Sequence, residues 1–288
     1  MGIRIGDDGG IRIAPEAAYG TPGTYVTQHG RSGPIGPRKA LLPSPRLGAT
    51  PTVRSYGVGY VDGEIEVAYD DSRAIIGGLL AACGNLTTDT YTIGDGSAPD
   101  ETSLSVWVDY GGYAMQYAGC KPQSLRFGID GDSPVVLTMG FLGQTPTEET
   151  VVAINQPAVS GVVWESDIST VTVGGTAACL LSASIEVELP LVGSDRHCLG
   201  AASIKEPQRS GHPMVTGSFN VELDDSTGAD SEAWLALFLA GTALGDIVLG
   251  DFTLSDCYMT GDFPALGEGI TQFSLNVEAA TLAISTDA

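Results

Sequence analysis

Apolar and polar residues alternate along short stretches of this chain. Val61, Gly63, Ile65, Val67 and Tyr69 interleave with Asp62, Glu64, Glu66 and Ala68, the period-two signature of a strand that buries one face. The same alternation predicts strands at 103–109, 124–129, 135–141, 182–189, 252–257 and 272–278. Turn signals such as Gly-Asp-Gly at 94–96 and Asp-Gly-Asp at 130–132 separate them. Two helices interrupt the strands. The first is predicted over 72–83, with Ser72 as N-cap, Ile76, Leu79 and Leu80 on one face, and Gly84 as its stop. The second is predicted over 231–240, with Asp230 as cap, Trp234, Leu235 and Phe238 as its buried stripe, and Gly241 as its stop. Trp107, Trp164 and Trp234 read as core residues.

The pattern occurs twice. At a shift of 154, residues 61–72 align with 215–226, and six of the twelve positions are identical, including Gly63 with Gly217 and Asp70-Asp71-Ser72 with Asp224-Asp225-Ser226. Strand, acidic turn, helix and terminating glycine follow in the same order in both copies. Strands leading into Cys120 or Cys257, a turn holding Gly131 or Gly267, and a last alternating strand come after. A duplication explains this better than chance likeness between amphipathic strands. The expected fold is mainly β: two similar β-sandwich or barrel half-domains, at 51–150 and 151–288, each with one packed helix. An extended, basic, Gly/Pro-rich assembly arm at 1–50 precedes them.

Charge sharpens this division. The 288 residues hold 35 acidic and 13 basic side chains, a net charge of −22. A general grip on nucleic acid is therefore disfavoured, because it needs cations that displace phosphate counterions. Residues 1–54 run the other way, with seven basic against three acidic residues. Arg31, Arg38, Lys39 and Arg46 are thus candidates for a subunit interface, since another copy of the chain is an acidic target for such an arm.

No enzymatic constellation is legible. None of the three lysines follows glycine, the three histidines are far apart, and neither H-E-x-x-H nor G-x-S-x-G occurs. His197 and Cys198 are adjacent, which on a strand points them to opposite faces. Asp70-Asp71 and Asp224-Asp225 read as turn and cap residues, and the acidic loop at 95–101 lacks EF-hand spacing. No catalytic, cofactor or metal site is assigned. Five widely spaced cysteines without a C-x-x-C pair read as reduced thiols and assembly in a cytosol. The N-terminus lacks the features of a secretion signal, and the apolar stretch at 235–240 is too short for a membrane anchor.

Glu16-Ala-Ala-Tyr19-Gly20-Thr21-Pro22, the segment opening with Tyr117 and Gly119, the strand opening with Thr216 and Gly217, and the helix holding Trp234 are four stretches that resemble the major tail tube proteins of long, non-contractile, siphovirus-like phage tails. Glu16-Ala-Ala-Tyr19-Gly20-Thr21-Pro22 is similar to that family's opening E-x-x-Y-G-T-P. Tyr117-Ala-Gly119-Cys120-Lys121, with the strand, Gly-Asp turn and strand after it, is similar to its y-x-G-c-k segment and long hairpin. Thr216-Gly217-Ser218-Phe219-Asn220-Val221, and the helix with Trp234, Leu237, Phe238 and Gly241, are similar to its second strand-and-helix unit.

The resemblance implies a structural virion protein whose rings stack into a tail tube, the conduit for the genome, assembled in the host cytoplasm and carried in the virion tail. Its implied partners are other copies of itself and the tape measure, tail terminator and distal tail proteins. With a duplicated fold, a trimer of approximate sixfold symmetry is preferred, and a true hexamer is the alternative. Genomic DNA would pass without specific binding along an acidic or neutral lining. Candidate lumen-facing residues are Asp62, Glu64, Glu66, Glu222, Gln272, Ser274, Asn276 and Glu278. Competing readings are another tail or neck component of related fold, or a secreted β-sandwich module that binds glycans.

Overall fold

A computed structural model describes residues 10–32, 35–38, 41–43, 54–56, 59–101, 103–110, 113–131, 133–144, 146–150, 152, 159–192, 204–222, 231–261 and 272–287. The first half runs β1 (Ile11–Glu16), β2 (Val26–Gln28), β3 (Gly30–Ser32), β4 (Gly36–Arg38), β5 (Leu41–Pro43), β6 (Arg54–Tyr56), β7 (Tyr60–Ala68), α1 (Arg73–Ala81), β8 (Asn85–Thr87), β9 (Thr90–Ile93), β10 (Ser103–Asp109), β11 (Ala114–Asp130), β12 (Val136–Gly143) and β13 (Thr147–Glu149). The second runs β14 (Val171–Val173), β15 (Thr176–Ala177), β16 (Cys179–Glu188), β17 (Leu191–Val192), β18 (Gln208–Arg209), β19 (Met214–Glu222), α2 (Ser231–Ala240), β20 (Gly245–Leu249), β21 (Phe252–Met259), β22 (Gln272–Ala279) and β23 (Thr281–Ser285). The protein is mainly β, as its alternating pattern predicts.

One large antiparallel sheet crosses both halves. Strands β3 and β4 lie along β7, followed by β12 and β11. Then come β16, β19, β22 and the end of β21. The second four positions repeat the order of the first four, and the halves join edge to edge where β11 meets β16. Each half also has an outer sheet, ordered β2–β1–β10–β11–β13 in the first and β15–β14–β20–β21–β23 in the second. Strands β11 and β21 bend to serve both sheets. The β8–β9 hairpin breaks the repetition: it belongs to the first half but extends the second outer sheet by pairing with β23.

These pairings move the expected boundaries. Described residues in the segment read as an extended arm form β1 to β5, and β1 is a core strand whose Ile11 and Ile13 are 1% and 2% exposed. Three-residue strands rich in Gly, Pro and Arg carry no period, so their pairing is invisible in composition. Residues 159–168 belong with the first half. Val163 exchanges backbone hydrogen bonds with Tyr69 and Val135, and Trp164 bridges Pro134, before β14 begins the second. Trp107 and Trp234 are buried, but Trp164 is 45% exposed on this connector and is not a core residue.

A continuous apolar core underlies both halves. Phe127 of β11 and Phe252 of β21 have ring centroids 4.9 Å apart, and Tyr69 meets both, at 6.0 and 5.0 Å. The Tyr69 hydroxyl donates to the Ser285 carbonyl at 3.1 Å, so its ring can be buried without an orphaned donor.

Each helix ends on its predicted glycine by a different route. Gly84 follows a short turn after α1, whereas Gly241 takes φ +61°, the left-handed geometry that glycine supplies at a helix stop, and its N–H bonds the Phe238 carbonyl. Ser72 occupies the N-cap position of α1 but makes no side-chain cap bond; Asp70 Oδ1 instead accepts the Ser72 N–H at 2.9 Å. Asp230 and the Asp224-Asp225 turn lie outside the described residues.

Candidate functional site

The large sheet buries one face and presents the other. Along β7, Val61, Ile65 and Val67 are fully buried, while Asp62 and Glu66 are half-buried and Glu64 is exposed. Alternation fixes this, because successive side chains of a strand leave on opposite sides. The same rule places Glu222 on the outward side of β19, and Ser274, Asn276 and Glu278, all exposed, on the outward side of β22. Gln272 is the cross-strand register partner of Glu222. The other seven residues predicted as a lining sit on one face of one sheet.

Register draws them into rows. One row runs Glu66, Thr138, Arg126, Glu186, Thr216, Glu278 and Tyr258 through seven consecutive strands. Further carboxylates missed in the sequence complete the face: Asp130 on β11, and Glu186 and Glu188 on β16, all exposed. Their signal in the sequence is the alternation of Ser182, Ser184, Glu186 and Glu188 with apolar residues. Arg126 is exposed on the same face and donates Nε to Ser184 Oγ at 3.2 Å across the joint. Neighbouring strands lie about 4.8 Å apart, so this is a closely spaced carboxylate surface, carrying Arg126 next to Glu186.

Two of the basic residues assigned to the arm, Arg31 and Arg38, lie on strands at the edge of this sheet. Arg31 of β3 has Glu66 of its own chain as register partner, and Arg38 of β4 has Tyr60. Lys39 and Arg46 lie outside the described residues.

The bend that carries β11 from the outer sheet into the large one is built around Glu16. This side chain is fully buried. Its Oε2 accepts the Gly20 N–H at 2.8 Å and the Ser103 hydroxyl at 2.5 Å, and its Oε1 accepts the Gly119 N–H at 3.0 Å and the Ser105 hydroxyl. Gly119 stands at φ +61°, and a Cβ there would meet the Tyr19 ring at 2.7 Å. The Glu16, Tyr19 and Gly20 of one motif and the Gly119 of another thus form a single bulge.

The second half builds the same bulge with other residues. The β10–β11 register slips between Leu104 and Val106, opposite Cys120 and Tyr117; the β20–β21 register slips between Gly245 and Ile247, opposite Cys257 and Leu254. Asp256, at φ +52°, takes the place of Gly119 immediately before the cysteine, and its N–H is accepted by Asp246 Oδ1 at 3.0 Å. Each buried thiol lies near the carbonyl three residues back: Cys120 Sγ at 3.2 Å from the Tyr117 carbonyl, Cys257 Sγ at 3.4 Å from that of Leu254. Burial raises the Cys257 thiol to about 12, and burial with the nearby Glu16 raises Cys120 well above its usual range. Both are protonated donors at neutral pH rather than nucleophiles.

Another acidic group gathers where the halves meet. Asp70 is fully buried, 4.0 Å from His29 Nε2. Asp71 and Asp251 have raised pKa values, first from burial and then from repulsion, by Asp287 and Asp70 in one case and by Asp71 and Asp287 in the other. The C-terminal strand ties this region together, since the Arg73 N–H bonds the Asp287 carbonyl and the Asp287 N–H bonds the Asp71 carbonyl. Among the described residues no group of three or more His, Cys, Asp or Glu is arranged to hold a metal ion, and no helix is long and apolar enough to cross a membrane.

Chemically, the carboxylate face repels polyanions. No curated protein matches the chain. The profile of one family, described as phage tail tube protein, matches residues 6–283.

Proposed function

The chain belongs to the phage tail tube protein family, and from that premise we propose that it polymerises into stacked rings whose bore conducts the genome into the host cell. It is a structural protein of the virion tail, and its family self-assembles into a tube and associates with other tail proteins. The finer reading is a long, non-contractile tail, built in the host cytoplasm. Its tube is bounded by a tape measure, a tail terminator and a distal tail protein.

The carrying observation is the joint between the halves. Seven register pairs link residues 124–130 of β11 to 182–188 of β16, so one four-position unit of the large sheet continues into a second. The sheet begins at β3 and β4 and ends at β21, which leaves complementary borders for the next copy. A head-to-tail contact of this kind closes into a ring when its rotation fits. Three chains set six similar units around such a ring, which favours a trimer of pseudo-sixfold symmetry over a hexamer. Closure satisfies strand borders that would otherwise promote irregular aggregation.

The carboxylate face then lines the bore. Asp62, Glu64, Glu66, Glu222, Gln272, Ser274, Asn276 and Glu278 offer the duplex repulsion or neutral polarity. Without a dense set of Lys or Arg contacts there is little counterion release to hold DNA in place. Electron cryomicroscopy of the assembled protein tests this reading. It expects hollow tubes with three chains per ring and these side chains on the inner wall. Six chains per ring would sink the trimer, and an inner wall made of the opposite face or of the outer sheets would sink the lining.

A further inference from the structure

We propose that the β5–β6 hairpin of one chain clasps the C-terminal end of α2 in the next chain, as the β17–β18 hairpin already clasps the end of α1 within a single chain. The proposal rests on the ring reading above and names one contact that holds neighbouring copies together.

The template is intramolecular. Arg209 of β18 reaches from the second half into the first, donating Nη2 to the Ala82 carbonyl at 3.3 Å and Nη1 to the Pro122 carbonyl at 3.2 Å. Ala82 is the C-cap of α1, so the guanidinium satisfies a carbonyl that the helix leaves without an internal partner. Under this clasp the helix end is closed: Ala82 is 2% and Cys83 3% exposed.

The two hairpins occupy the same place in the repeat. One lies between β4 and β7, the other between β16 and β19, each beside the first border strand of its half. Both are antiparallel two-strand ribbons, pairing Leu41 with Tyr56 in one and Leu191 with Arg209 in the other. The sequence repeats as well. Leu41-Leu42 precedes Ser44 and Arg46 as Leu191-Val192 precedes Ser194 and Arg196, and Arg54-Ser55 stands before β7 as Arg209-Ser210 stands before β19.

Among the described residues nothing covers the second helix end in this way. Counting back from the stop glycines, Leu239 corresponds to Ala82, yet it is 76% exposed, and Ala236 and Ala240 are exposed beside it. From Ala233 to Ala240 the helix is apolar all round, a composition that suits a helix buried on more than one side. If the joint between copies repeats the joint between halves, the hairpin that arrives at this end is β5–β6 of the following chain.

A photo-crosslinking residue at position 239, in full-length protein assembled into tubes, tests the contact. Mass spectrometry is expected to find the adduct on β5 or β6, residues 41–43 or 54–56, of another chain. Tubes that form with the adduct elsewhere, or with none, overturn the clasp and leave the ring reading standing; wild-type protein that stays monomeric at every concentration overturns both. Leu239→Glu provides a second measurement. Its monomer is expected to melt as wild type does, because position 239 is exposed there, while the assembled fraction falls about tenfold or more. Unimpaired assembly of that variant overturns the proposal.

Discussion

Replacing Glu16 by alanine removes the acceptor for four donors at once: the part-buried N–H of Gly20, and the buried N–H of Gly119 and hydroxyls of Ser103 and Ser105. The two hydroxyls can rotate toward other acceptors, but the two N–H groups are fixed by the backbone. A buried donor left unsatisfied costs about 1–3 kcal/mol, so Glu16→Ala is expected to destabilise the chain by about 4 kcal/mol. Glu16→Gln keeps the shape and one oxygen, yet turns an amide N–H₂ toward either the Gly20 or the Gly119 N–H. One lost acceptor then costs about 2 kcal/mol. At roughly 2–4 °C per kcal/mol for a domain of about this size, thermal unfolding by circular dichroism should show Tm lowered by about 10 °C for alanine and about 5 °C for glutamine. A glutamine variant as stable as wild type would refute the account, because it would mean that the bulge does not depend on four accepted hydrogen bonds. So would a glutamine variant less stable than alanine.

Four further outcomes can be checked. Gly119→Ala forces a Cβ into left-handed backbone against the Tyr19 ring and should cost at least about 1–2 kcal/mol, whereas Asp256→Gly, at the matching bulge, should relieve strain of similar origin and melt no lower than wild type; urea titration compares the two. Deleting residues 1–50 removes β1 with its buried Ile11 and Ile13, so the product should lack a cooperative unfolding transition rather than merely fail to assemble. Because the folded-state pKa values of Asp71 and Asp251 are raised, the folded chain holds those protons more tightly than the unfolded chain. Their contribution is fully present below the ordinary aspartate range and is lost as pH rises through the raised values. Asp251→Asn should therefore raise stability at pH 7 and flatten the gain seen on mild acidification, in melts recorded across that window. Converting Glu64, Glu66, Glu186 and Glu188 to lysine should make assembled tubes retain duplex DNA at low salt and release it as salt rises, measured by co-sedimentation; tubes of this variant that retain none would contradict the lining.

What the sequence made legible is what burial on one side makes periodic. Strands β7, β16, β19 and β22 each hide alternate residues, so both their existence and their outward carboxylates could be read. The repeat was visible through Gly63 and Gly217 and through Cys120 and Cys257, which pairing places at equivalent slips of register. Strand β10 shows the limit of the rule: all seven of its residues are buried, so its two sides differ in neighbours rather than in solvent. Strands β2 to β5 are invisible as strands because three residues display no period, and the six-residue β1 sits beside charged and glycine-rich text. Glu16 could be recognised as part of a motif but not as a buried acceptor, since nothing local distinguishes a carboxylate that faces four donors from one that faces water.

The β8–β9 hairpin has no counterpart after α2, where residues 241–244 lead directly into β20. In a ring of three chains, the interfaces would therefore alternate between a strapped kind and an unstrapped kind. In such a ring a stacked neighbour that senses the difference would have three equivalent angular settings rather than six, and this small insertion would then be a phase mark by which successive layers keep a common twist.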